Sequence, residues 1–126
     1  MALLSCEKKE KDEMESIYRK WEATDFISLE SVTYPKKDGF NPIIEIKTDG
    51  TYNLILDDNG CSGNFNIPEN GGISFLAAIC TRRCCDSKFS EKFWLMLPSV
   101  KTYQIEKNKL KLEIPDWGWI NLELHD

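Results

Sequence analysis

Asn59-Gly60-Cys61-Ser62-Gly63-Asn64-Phe65, a break at Asn70-Gly71-Gly72, then Ile73-Ser74-Phe75 and Cys80-Thr81-Arg82-Arg83-Cys84-Cys85 form the stretch whose reading decides the fold. It joins a Gly-Cys turn, a hairpin signal and a cysteine cluster. Asn-Gly pairs supply the positive φ that tight hairpin turns require. Asn64–Ile67 and Ile73–Phe75 therefore read as two short strands around 70–72. Only a small β protein carries these features together.

Upstream, the same grammar continues. Phe26-Ile27-Ser28-Leu29 reads as a strand. Pro35, Asp38-Gly39 and Pro42 break the chain into a loop. Ile43–Lys47 follows, then Asp49-Gly50, which predicts a type I′ hairpin turn with positive φ at both positions. Tyr52, Leu54 and Leu56 then alternate with Thr51, Asn53, Ile55 and Asp57. Earlier still, Met14, Ile17, Tyr18 and Trp21 fall at i, i+3, i+4 and i+7. That spacing fits a short amphipathic helix, or equally a tether running into a first strand near Trp21.

Downstream, one helix is predicted over about 86–98. Asp86 or Ser87 caps it, because a short side-chain oxygen accepts from an orphan N–H. Phe89, Phe93, Trp94 and Leu97 recur at helical spacing, and Pro98 ends it. Three more strands follow. Tyr103 and Ile105 lie in the first. Leu110, Leu112 and Ile114 share one face of the second. Ile120, Leu122 and Leu124 lie in the last. Lys107-Asn108 and Pro115-Asp116-Trp117-Gly118 make the turns. One-sided alternation indicates antiparallel sheet with one wet face. About eight short strands favour a closed barrel, which removes exposed edges. The predicted fold is mainly β, a small lipocalin-like antiparallel barrel with one amphipathic helix.

The chain has 126 residues and a formal charge of −5. One domain is the default at this length. Residues 1–20 read as a leader remnant and charged tether, and residues 21–126 as the barrel. The acidic balance argues against nucleic acid, which needs a basic surface. Five cysteines are many for this length. Cys61, Cys80, Cys84 and Cys85 cluster, and reducing compartments rarely keep such clusters without a metal. Disulfides, a metal site and free thiols all remain open. Zinc would want two separated C-x2-C knuckles, a spacing absent here.

Leu3-Leu4-Ser5-Cys6 looks like a bacterial lipobox, which makes Cys6 the lipidation candidate. The run Glu7-Lys8-Lys9-Glu10-Lys11-Asp12-Glu13 is similar to the charged export tag behind the lipid cysteine of Bacteroidetes surface lipoproteins. Only five residues precede Cys6, so most of a signal peptide is missing. The expectations are an exported outer-membrane lipoprotein, periplasm-facing or surface-exposed, attached to the membrane through Cys6. It would be a monomer, with a protein partner as a further prospect.

From Trp21 to Leu124 the chain resembles the META domain family, which includes HslJ-type envelope proteins. Gly60-Cys61 with Gly63 matches the family's Gly-Cys-Asn…Gly segment, with Ser62 in place of the Asn. Thr81-Arg82-Arg83-Cys84-Cys85 matches its Thr-Arg-x-x-Cys segment. Val100, Tyr103, Ile105, Leu110 and Leu112 match the strands after the helix. The resemblance implies a small lipocalin-like barrel, and a non-catalytic envelope role, structural or stress-related. It also implies a Cys61–Cys85 disulfide, which leaves Cys80 with Cys84.

No nucleophile–base pair stands out. His125 is the only histidine and sits one residue from the end. The nucleotide-binding, P-loop and HExxH motifs are missing, so neither catalytic residues nor a cofactor nor a metal site is predicted. Asp57-Asp58 read as turn residues, because adjacent strand positions face opposite ways. Four binding candidates remain. Arg82 and Arg83 suit an anion, and Trp117 and Trp119 suit a partner or a carbohydrate. A surface binding module or inhibitor is thus one alternative to the structural role. A thiol-based metal or redox protein built on the four cysteines is another.

Overall fold

The computed structural model describes residues 16–125. Cys6, the charged run 7–13 and Met14 lie outside the described residues.

Nine strands follow one another around a single antiparallel sheet: β1 (Lys20–Ser28), β2 (Ile43–Ile46), β3 (Thr51–Ile55), β4 (Gly60–Asn66), β5 (Ser74–Phe75), β6 (Ile79–Cys80), β7 (Thr102–Glu106), β8 (Lys109–Ile114) and β9 (Gly118–Leu124). The order is β5-β4-β3-β2-β1-β9-β8-β7, with β6 also on β4. The two ends of this path meet. Gly72 bridges Thr102, Ile73 N–H donates to Lys101 O at 3.0 Å, and Tyr103 N–H donates to Gly71 O at 2.9 Å. The result is a nearly closed barrel, as the strand count implies.

Alternation decides which side chains point inward. Tyr52, Leu54 and Leu56 are buried, as are Leu110, Leu112 and Ile114. Trp21, Ala23, Ile44, Ile46, Ile120 and Leu122 complete the ring around the core. Their outward neighbours are polar or half-exposed, the pattern of a sheet with one wet face.

The helix α1 (Lys88–Met96) continues into a 3-10 turn, Leu97–Ser99. It starts later than the predicted span, because Ser87 is extended and donates to Asp57, while Asp86 accepts from Asp58 N–H and Asn59 Nδ2. Ser87 is the N-cap, accepting from Ser90 N–H at 3.0 Å. Phe89, Phe93, Met96 and Leu97 are buried. Phe26 stacks on Phe89 with centroids 4.2 Å apart, so α1 lies across the barrel end where β1 finishes. The opposite end, where β1 begins, holds buried Ile17, whose carbonyl accepts from the Trp21 indole at 3.0 Å.

Three expectations need correction, and one pair of alternatives is decided. Of the two readings of 14–21, the described part follows the one that runs into a first strand near Trp21: Lys20 opens β1. Arg19 O accepts from Ile46 N–H and Lys20 O from His125 N–H, each at 3.0 Å. Neighbouring strands satisfy this backbone, which leaves nothing for a helical turn. The barrel therefore includes Ile17 and starts before residue 21. Asp49-Gly50 is not a type I′ turn, since of the two only Gly50 has positive φ (88°). Asp49 Oδ1 instead accepts from Thr51 N–H at 3.0 Å and Thr51 Oγ1 at 2.6 Å, which stabilises the ordinary turn followed by a left-handed glycine. Gly60-Cys61 is strand, because Asp57-Asp58-Asn59 supply the turn before it.

The disulfide implied by the family resemblance is the third. Cys61 bonds Cys80, not Cys85. Register is the reason: β4 and β6 place these two directly opposite, with Cα atoms 4.1 Å apart. Cys84 pairs with its neighbour Cys85. Cys85 sits in the loop that follows, where its N–H donates to Asp58 Oδ2 at 3.0 Å.

Candidate functional site

All four binding candidates lie at one end of the barrel, the end that α1 covers. The turn 57–59 gathers loop 81–87 there. Asn59 Oδ1 accepts from Arg83 N–H at 2.7 Å and from Thr81 Oγ1 at 2.8 Å, while Asn59 Nδ2 donates to Arg83 O at 2.8 Å and Asp86 Oδ2 at 2.6 Å. Asp58 Oδ2 also receives Lys37 Nζ at 3.1 Å, a pairing that raises the Lys37 pKa. Arg82 and Arg83 therefore have a fixed backbone and exposed side chains.

Asp57 Oδ1 accepts from Ser87 N–H at 3.0 Å and Ser87 Oγ at 2.9 Å. Burial pushes its carboxyl pKa up, but the Ser90 hydroxyl and the two Ser87 donors outweigh that and hold it below the usual range. Asp57 Oδ2 and Ser90 Oγ are both buried and make no bond of good geometry. The Ser90 influence is thus a close dipole rather than a formed bond. Asp57 is a structural clamp on the start of α1, and Asp57-Asp58 act as turn residues.

Trp117 is anchored. Its ring meets Phe26 edge-on at 5.8 Å, and Phe26 meets Tyr34 likewise at 5.9 Å. Lys92 Nζ lies 5.0 Å from the Tyr34 ring, 5.6 Å from the Trp117 ring and 3.5 Å from Glu30 Oε1. Glu30 accepts from the Trp117 indole and from the Tyr34 hydroxyl. The indole bond is the main cause that lowers the Glu30 pKa, against a smaller opposing effect of burial. Loop 29–35, α1 and the last turn are fastened together by this group.

Trp119 is placed differently. It pairs with Ile27 on β1 and Glu113 on β8, on the face opposite buried Ile120. Lys111 Nζ lies 4.5 Å from its ring centre. A concavity of about 580 Å³ opens here, lined by Ile27, Leu29, Trp117 and Trp119 among others. Leu29 is 88% exposed and Ile27 41%, so this end is apolar yet wet. A second concavity of about 560 Å³ continues along the same outer face, lined by polar side chains such as Asp25, Gln104, Lys111 and Asn121.

The tryptophans thus share one concavity with different duties, and the arginines occupy a separate loop at the same end. Ile27, Leu29, Lys111 and Asn121 went unnoticed in the sequence. Ile27 faces outward beside Trp119 only because β1 shifts register between Ala23 and Asp25. His125 sits at the other end, 3.4 Å from Glu22. Among the described residues no three His, Cys, Asp or Glu side chains converge as metal ligands. No helix among them is long and apolar enough to cross a membrane.

No protein-family profile matches the chain, and no curated protein does. Two solved structures share its fold. One is a protein from Burkholderia xenovorans, solved by NMR, with TM-score 0.68 and 12% identity over 86% of this chain and 82% of that one. The other is a DUF4847 family protein from Bacteroides vulgatus, with TM-score 0.63 and 16% identity over 92% of this chain and 97% of that one. At such identities the likeness establishes the small barrel with its short helix, and nothing further.

Proposed function

We propose that this chain is a non-catalytic lipoprotein of the bacterial cell envelope, META-like in its domain, with a structural or stress-related role. Its attachment would be an acylated Cys6, its location the outer membrane, and its working form a monomer. The observation that carries this reading is the Cys61–Cys80 bond within the barrel wall. Disulfides of this kind persist in oxidising compartments and not in the cytosol. The arrangement of ends agrees with a tether. Buried Ile17 lies at the barrel end opposite Arg82, Arg83, Trp117 and Trp119, so an anchor on Cys6 would direct that end away from the membrane.

The test is intact mass on protein recovered from cells that export it. The expected result is an acylglyceryl mass on Cys6, loss of four hydrogens among the other cysteines, and membrane fractionation that Cys6→Ser abolishes. A soluble, unacylated protein with free Cys61 and Cys80 would sink the proposal. A second reading, a surface binding module, is favoured by the exposed Ile27 and Leu29 and the half-buried Trp119 beside an open concavity. The thiol-based metal or redox alternative would need the sulfurs of Cys61, Cys80, Cys84 and Cys85 free, and the facing of Cys61 and Cys80 across β4 and β6 favours a bond between those two instead.

A further inference from the structure

The two concavities on the outer face of β1, β9, β8 and β7 abut. We propose that this face is a saccharide-binding trough, with Trp119 as the stacking platform and the adjoining polar row as the hydroxyl-binding wall. The inference is independent of whether Cys6 is acylated.

Four observations carry it. First, there is room: each concavity, at about 580 and about 560 Å³, lies in the range of small-molecule sites. Second, the apolar and polar elements follow one another in register. Trp119 and Ile27 form one row across the sheet, and Lys111 and Asn121 the next. An indole face is electron-rich and attracts the polarised C–H groups on the apolar side of a pyranose. Ring hydroxyls around the edge of the same sugar then reach the neighbouring row. Third, the polar row is underused. The side chains of Asn121, Lys109, Lys111 and Glu123 make no hydrogen bond or ion pair among the described residues, and the Lys111 ammonium lies over the Trp119 ring. Such donors and acceptors suit an array of hydroxyls, which give and accept in turn. Fourth, charge is nearly balanced, with Asp25, Glu106 and Glu123 beside Lys109 and Lys111. A neutral ligand fits that balance better than a polyanion or a basic peptide.

The sheet itself disfavours a strand-adding peptide. Beneath Trp119, β1, β9 and β8 each have hydrogen-bonded neighbours on both sides, so no backbone edge is offered beside the stacking platform. Lys111 is a weak obstacle, since a cation over an indole at a solvent-accessible site is held only loosely. A stacked sugar displaces its ammonium to the ring edge, where it donates to a hydroxyl.

The experiment is a titration of the folded full chain with cellohexaose, maltohexaose and chitohexaose, each to about 10 mM, the weak end of measurable affinity. Indole fluorescence and amide NMR shifts are the readouts. Saturable binding of at least one sugar is expected, with shifts centred on 119–121 and 109–111. Trp119→Ala should weaken it more than tenfold, and Asn121→Ala severalfold. Lys88→Ala, exposed on α1 and lining neither concavity, should leave it within twofold. Asn121→Ala and Lys111→Ala alter exposed or half-exposed side chains, so they report on the trough even where Trp119→Ala fails to fold. Absence of saturable binding to all three sugars overturns the proposal. So does binding that both Trp119→Ala and Asn121→Ala leave unchanged, or shifts confined to loop 81–87.

Discussion

Tyr52 is the residue on which the barrel interior turns. It is fully buried, and its hydroxyl donates to Leu76 O at 2.6 Å. Burial pushes its pKa up to about 12 from 10.0. Between these values the unfolded tyrosine ionises while the folded one stays neutral. The stability that depends on a neutral Tyr52 is whole below pH 10 and declines as pH rises towards 12. Two pKa units correspond to about 2.7 kcal/mol. Melting temperature measured across this window should fall, and fall less steeply in Tyr52→Phe. That variant should itself lose about 1 kcal/mol at neutral pH with its hydrogen bond. Gly63 is the counterpart of Tyr52. A Cβ at Gly63 would lie 2.7 Å from Tyr52 Cζ and 2.8 Å from its hydroxyl oxygen. Gly63→Ala must displace the ring and disturb the bond to Leu76. We expect a loss of about 1–3 kcal/mol in denaturant titration, as for other overpacked cores. An unchanged midpoint would mean the ring has slack that the packing does not suggest.

At the scale of elements, loop 81–87 matters most, because it carries α1 back onto the barrel. Asp57 holds its end through Ser87. With a depressed carboxyl pKa, Asp57 contributes stability above the unfolded carboxylate value that is lost as pH falls through its folded value. Asp57→Asn should therefore be less stable than the parent at neutral pH, with the gap narrowing in acid. Equal gaps at pH 7 and pH 3 would show that the charge is immaterial. The Cys61–Cys80 bond joins β4 to β6 across a sequence separation of 19. In the chain-entropy account such a closure stabilises by about 3 kcal/mol. Cys61→Ala/Cys80→Ala should show that deficit by chemical denaturation, and reductant should add little to it. Register explains why the family-based pairing failed. Cysteine spacing constrains which pairings are open but not which strand lies opposite which.

For the whole molecule, the Trp117 and Trp119 concavity lies at the barrel end opposite Ile17, and the polar concavity runs back towards the Ile17 end. Acylated protein held on vesicles should leave Trp119 accessible to an aqueous quencher such as iodide. Strong protection of Trp119 by the membrane would mean the barrel lies on its side or inverted.

Most of this fold was legible in the residues. Alternation in 51–57 and 109–114, the punctuation at Asn70-Gly71, Lys107-Asn108 and Pro115–Gly118, and the Ser87 cap all act over a few residues. Local sterics and local hydrogen bonds settle them, so the amino-acid order alone determined that this chain makes short antiparallel strands, one capped helix and a one-sided core. What tertiary structure decided depends on partners far away in sequence. The bonds of Arg19 and Lys20 to β2 and β9 made a strand of residues that a helical period also fits. The facing of β4 and β6 chose the disulfide. The register shift in β1 brought Ile27 beside Trp119, and the sheet order set Lys111 and Asn121 next to them. Spacing along a chain measures what is near in sequence. Closing a barrel brings together what is distant, and only the closed sheet fixes those neighbours.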